Sequence, residues 1–180
     1  ILPVSQSVFQ GVLAENQTPT GQFAKPRSML DSVVQSDTYL SRPTSVTRFA
    51  HWFSGPSHTE SLSSYCLSHG ALSAYDFDVC VGGASHDLSN DAVFANAVSD
   101  IDAGRINSAH FGVPCRTMSV VRLLHDSKWP ILRKAGDLIY GVRGLSGSDQ
   151  AAVDRANLCV ARTCQLALRM HQRGGNFTIE

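Results

Sequence analysis

Val46-Thr47-Arg48-Phe49-Ala50-His51-Trp52-Phe53-Ser54-Gly55-Pro56 is the stretch from which the fold of this chain is read. Val46–Phe53 is rich in β-branched and aromatic side chains, the composition of a strand, and Ser54-Gly55-Pro56 is a turn signal that stops it. Ser57-His58-Thr59-Glu60 then matches a capping box, in which Ser57 and Glu60 would satisfy free backbone N–H groups at a helix start. Leu62, Tyr65, Cys66 and His69 follow at helical spacing, and Gly70 is placed to end that helix.

The same alternation continues toward the C-terminus. Ala71–Phe77 reads as a second strand. Asn90 or Asp91 opens the next helix, with Val93, Phe94, Ala97, Val98 and Ile101 on one face before Gly104. Arg105–Phe111 is a third strand that leads into Gly112-Val113-Pro114-Cys115, and His125 to Gly147 is irregular. Asp149 to Arg173 carries the longest helical pattern, with Val153, Ala156, Val160, Cys164, Ala167 and Leu168 as its apolar stripe. Gly174-Gly175 ends it, and Asn176–Glu180 starts a last strand. Strands that alternate with helices in this way predict an α/β domain: a mostly parallel sheet with helices on both faces, incomplete at its C-terminus. Residues 1–44 are rich in Ser, Gln, Thr and Pro and read as an irregular, extended arm or linker, with short elements at most around Val4–Leu13 and Met29–Val34. The α/β domain is then residues 45–180.

A length of 180 residues suits one domain with a real core. Fifteen basic residues balance 15 acidic ones, so no global field draws the chain toward nucleic acid or membrane, although Arg116, Arg122, Lys128, Arg133, Lys134 and Arg143 crowd one stretch. The 5 cysteines are odd in number and none stands in a CxxC pair, which fits neither a disulfide framework nor a zinc site. A reducing, intracellular compartment (cytoplasmic or nuclear) is expected, with no bound metal. No apolar run is long enough to cross a bilayer, and the N-terminus lacks the basic-then-apolar pattern of a signal peptide. A chain that starts at Ile1 is either trimmed or cut from something longer.

In a parallel sheet, ligands sit at the carboxyl ends of the strands, so the loops after the strands carry the functional reading. Gly55 in Phe53-Ser54-Gly55-Pro56 lets backbone approach a ligand, although a glycine at a strand-to-helix turn is commonplace. Tyr75-Asp76-Phe77-Asp78 places an acid where a ribose could be held, or is simply a solvated acidic turn. Asp87 in His86-Asp87-Leu88 could meet an adenine amino group or merely cap the helix that follows. Cys115 in Val113-Pro114-Cys115-Arg116-Thr117-Met118-Ser119 is held on a stiff loop, with Arg116 and Arg122 as the charges that favour a thiolate. Most free cysteines are small buried hydrophobes, and Cys66, Cys159 and Cys164 are expected to be of that kind.

Phe53-Ser54-Gly55, the acid near Asp76, Asp87-Leu88, Pro114-Cys115 with Ser119, and Phe177-Thr178-Ile179-Glu180 occur in an order that resembles the cytosine-5 DNA methyltransferase family, from about residue 46 to the C-terminus. The resemblance implies a Rossmann-like fold that binds S-adenosylmethionine and acts on DNA. Phe53, Ser54 and Gly55 would line the amino-acid end of the cofactor, Asp76 or Asp78 its ribose, and Asp87 and Leu88 its adenine, with Pro114 also at the pocket. Cys115 would be the nucleophile, adding to carbon 6 of a flipped cytosine, with Glu180 bonded to the base and Ser119 and Arg122 beside them.

The chain departs from the family at Ser57, where a second glycine is usual, and at Arg116 and Met118, where glutamine and an aromatic are usual. Its sequence stops at Glu180, before any target-recognition region. A second reading is therefore a methyltransferase-like fold reused as a binding or structural module of a larger polyprotein or assembly, with another chain completing the domain. A third is a cysteine hydrolase that pairs Cys115 with His110 or His125.

Overall fold

A computed structural model describes residues 46–123 and 128–180. The predicted N-terminal arm and His125 lie outside the described residues. Four strands form one sheet: β1 (Arg48–Trp52), β2 (Ser73–Phe77), β3 (Ser108–Phe111) and β4 (Asn176–Ile179). They lie in the order β2-β1-β3-β4 and every pair is parallel. The chain steps from β1 outward to β2, then crosses back past β1 to β3 and on to β4. The loops after β1 and β3 therefore leave in opposite directions, which makes the gap between those strand ends the topological switch point of the sheet.

Four α-helices connect the strands: α1 (Leu62–Ser68), α2 (Val79–Gly82), α3 (Asp91–Asp102) and α4 (Gly147–Gln172). Strand alternation decides which face each one covers. Ala50 and Trp52 of β1 and Ala109 and Phe111 of β3 share one face, where they are buried with Ala97 and Ile101 of α3 and Leu166, Ala167 and Met170 of α4. Trp52 lies flat between Phe77 and Phe111, with ring centroids 5.3 and 5.0 Å away, at the centre of this core. Its truncation to alanine would cost about 3–5 kcal/mol. His51 and Asp76 point to the opposite face, where α1 packs and the Ser63 hydroxyl donates to Asp76 at 2.6 Å. Helices therefore lie on both faces of a wholly parallel sheet, the Rossmann-like α/β arrangement.

Polar ties fix α4 on α3. The buried Arg162 donates to the Leu88 carbonyl at 2.9 Å, pairs with Asp91, and lies 4.9 Å from the Phe94 ring. Arg169 grips Asp102 with two bonds of 2.6 Å. Among the described residues no helix is long and apolar enough to cross a membrane.

Several boundaries differ from the sequence reading. The capping box at Ser57 and Glu60 does not open a helix; α1 starts after Ser61, whose hydroxyl accepts from the Ser64 N–H at 3.1 Å. β3 begins at Ser108 because the N–H groups of Arg105 and Ile106 still close onto the Asp100 carbonyl at the end of α3. The short helix α2 and a 3-10 turn at Gly83–His86 fill a stretch that sequence periodicity left blank. The caps of the longer helices are Asn90, as expected, and Ser146, which starts α4 at Gly147. Gly174, at φ 71°, follows its last turn.

Candidate functional site at the strand ends

The loop leaving β1 is unusual in its backbone. Phe53 has φ 60°, the only positive value at a non-glycine among the described residues, and its N–H donates to the Phe77 carbonyl at 2.7 Å. A bulky residue held in that region carries strain that persists only where its surroundings impose it, often at a ligand site. The surroundings here are tight on one side: a Cβ on Gly112, in the loop after β3, would stand 3.2 Å from the Phe53 carbonyl oxygen. Gly55 is open on the other, with φ 75° and nothing within 4 Å of where a Cβ would be. Ser54 donates its hydroxyl to the Gly55 carbonyl at 3.3 Å.

Asp78 holds this loop. One carboxylate oxygen accepts from the Gly55 N–H at 3.0 Å and the other from the Cys80 N–H at 2.7 Å, so the same side chain caps α2 and ties the end of β2 to the loop after β1. Burial alone would raise its carboxyl, but the hydrogen bonds from Cys80 and Gly55 outweigh it and hold Asp78 below the usual carboxylate range.

The loops after β3 and β4 are stitched side by side. Glu180 donates its N–H to the Phe111 carbonyl at 3.0 Å, and Val113 returns a bond to the Glu180 carbonyl at 3.3 Å. Pro114 and the exposed Cys115 follow directly, so thiol and carboxylate leave adjacent strand ends. The Cys115 carbonyl accepts from the Met118 N–H at 2.8 Å, which closes a turn. Beyond it lies a groove of about 250 Å³ lined by Thr117, Met118, Ser119, Arg122, Arg133 and Ile139.

Arg122 staples this loop, donating to the carbonyls of Arg116 at 2.8 Å and Pro130 at 3.0 Å beneath the Trp129 ring. Arg133 is buried and spends its donors on neutral acceptors: Thr117 Oγ1, Asn157 Oδ1 and the carbonyls of Ile139 and Val153. Burial pushes the thiols of Cys66 and Cys164 up and that of Cys159 to about 11, while the hydrogen bond to Asp78 raises Cys80.

Three further predicted residues have internal partners. Asp76 accepts from Ser63 on the α1 face. Asp87 accepts from both the N–H and the hydroxyl of Ser89, at 2.9 and 2.6 Å, and faces Arg155 and Arg162 of α4. The Leu88 side chain is 1% exposed and belongs to the core. No group of three or more metal-ligating side chains exists among the described residues.

The sheet register also assembles a polar row that the sequence reading missed. Asp76, His51, His110 and Thr178 stand at matched positions on β2, β1, β3 and β4. Asp76 Oδ1 is 3.6 Å from His51 Nδ1, the His51 and His110 rings meet edge to face at 4.9 Å, and His110 Nδ1 is 2.7 Å from Thr178 Oγ1. His110 Nε2 faces Glu180 Oε2 at 3.6 Å, which joins the row to the strand-end site. Burial, then His110, pushes His51 below the ordinary histidine value, against the pull of Asp76, Asp78 and Glu180. Each of these residues is the penultimate one of its strand, and only the parallel register aligns them.

The chain matches no family model, no curated protein and no solved structure.

Proposed function

We propose that this chain is a methyltransferase-like domain that binds S-adenosylmethionine at the ends of β1 and β2 and presents Cys115 to a cytosine base of DNA. One observation carries the reading. Phe53 to Gly55, Asp78, Cys115 and Glu180 leave the carboxyl ends of four adjacent parallel strands, around a switch point between β1 and β3.

The chain's groups fit the cofactor at this end. The positive φ of Phe53 and the open side of Gly55 leave backbone accessible, and the ionised Asp78 keeps acceptor capacity for ribose hydroxyls. Of the two acids considered for that role, Asp78 is the better placed, because it follows the end of β2, whereas Asp76 lies within the strand and points to the α1 face. When bound, S-adenosylmethionine supplies the methyl group. Cys115 Sγ adds to carbon 6 of the base, and Glu180 holds the ring nitrogen and exocyclic amine as charge develops.

A second reading, a binding or structural module on the same fold, is favoured by the internal engagement of Asp87 and Leu88 and by the neutral net charge. Calorimetric titration with S-adenosylmethionine and its demethylated product separates the two. Saturable binding that weakens at least about tenfold in Asp78→Ala, the loss of roughly 1.4 kcal/mol, supports the cofactor site. Absence of binding at millimolar ligand leaves the module reading.

A further inference from the structure

We infer that His110 is the positioning residue for Glu180: pinned at one ring nitrogen by Thr178, it presents the other to the Glu180 carboxylate and sets that group's orientation. This rests on Glu180 being the carboxyl that meets the base. The argument starts from register. His110 stands opposite Thr178 in the β3–β4 ladder, which places both side chains on one face and brings Nδ1 to 2.7 Å from Oγ1. A ring anchored in this way cannot swing. Its Nε2 then lies 3.6 Å from Glu180 Oε2, and while the His110 side chain is 17% exposed, that of Glu180 is 85% exposed. The half-buried ring therefore guides the exposed carboxylate. A carboxylate beside Nε2 favours the proton there, so the Thr178 hydroxyl donates to Nδ1.

His110 is faced from β1 by His51, behind which stand Asp76 and Asp78, and from the β4 side by Glu180.

The test is a pH titration of the full chain by NMR, with the histidine ring nitrogens labelled, on the wild type, Glu180→Gln and Thr178→Val. Glu180 is exposed, so its substitution leaves the fold intact, which the backbone amide spectrum checks. In Glu180→Gln the His110 midpoint is expected about half a pH unit lower than in the wild type, through loss of the neighbouring negative charge. In Thr178→Val the ring is expected to lose its single tautomer. A His110 midpoint that is the same with Glu180 and with glutamine overturns the inference. The readout needs neither cofactor nor DNA, so it stands even where the methyl-transfer reading fails. Conversely, methyl transfer with an unchanged pH profile in His110→Gln overturns this inference and leaves that reading standing.

Discussion

The Gly55 amide donates to the Asp78 carboxylate across 3.0 Å, so the loop leaving the central strand β1 is held by the residue that follows the edge strand β2. Together with the bond from the Phe53 N–H to the Phe77 carbonyl, this contact ties the loop after β1 to the end of β2. It also makes Asp78 a structural residue as well as the acid proposed for the ribose.

Asp78→Ala is accordingly expected to cost about 1–2 kcal/mol in denaturant unfolding, because it frees the Gly55 and Cys80 N–H groups together. The acid dependence follows from the direction of its shift. The folded carboxyl lies below its unfolded value, so its stabilisation is fully present above the ordinary carboxylate pKa and is lost as pH falls through the folded value. Unfolding midpoints of wild type and Asp78→Ala should therefore converge below about pH 4. A gap that stays constant down to acid pH would count against the assignment.

Arg133 is expected to be the most sensitive position of the groove. It bridges Thr117, Ile139, Val153 and Asn157, so one guanidinium joins the loop after Cys115 to α4. Arg133→Met should cost about 2–4 kcal/mol, since charge-assisted bonds are lost and buried acceptors are left without donors. Arg133→Lys should recover little, because an ammonium cannot reproduce the planar fork. Full recovery by lysine would show that charge alone, and not the bonding pattern, matters there.

The cysteines should separate by accessibility. Alkylation of the native chain followed by peptide mass mapping is expected to mark Cys115 and Cys80, both exposed, while Cys159 and Cys164 react only after unfolding. Asp78→Ala should speed labelling of Cys80, whose thiol its carboxylate pushes up, and leave Cys115 unaffected. Native labelling of Cys159 would contradict the packing of α4.

Much of this fold was legible because strong periodicity and local cap chemistry agreed. The stripe through Val153, Ala156, Cys164 and Ala167 set α4, and Asn90 marked the start of α3. The start of α1 was misread because Ser57 and Glu60 match a capping box that Ser61 lacks; Leu62, the first periodic apolar residue, favours Ser61. The short helix after Asp78 escaped because one turn has no periodicity to read. Within the site, Gly55 and Asp78 were visible as strand-end residues, yet their hydrogen bond depends on neighbouring strands. The His51–His110 pair was invisible for the same reason: only the parallel register brings those two residues together. Leu88 was read as a ligand contact from the motif order, whereas the apolar side chain is taken up by the core.

The most direct test of the central claim is covalent trapping at Cys115. The chain is incubated with S-adenosylmethionine and a pool of duplex DNA of random sequence carrying 5-fluorocytosine. Fluorine at carbon 5 cannot leave as a proton does, so an attacking thiolate stays bonded to carbon 6. Intact mass and peptide mapping are predicted to show one DNA adduct on Cys115, dependent on the cofactor and absent in Cys115→Ser. A chain that binds the cofactor yet forms no adduct, or forms it equally in Cys115→Ser, would contradict the account.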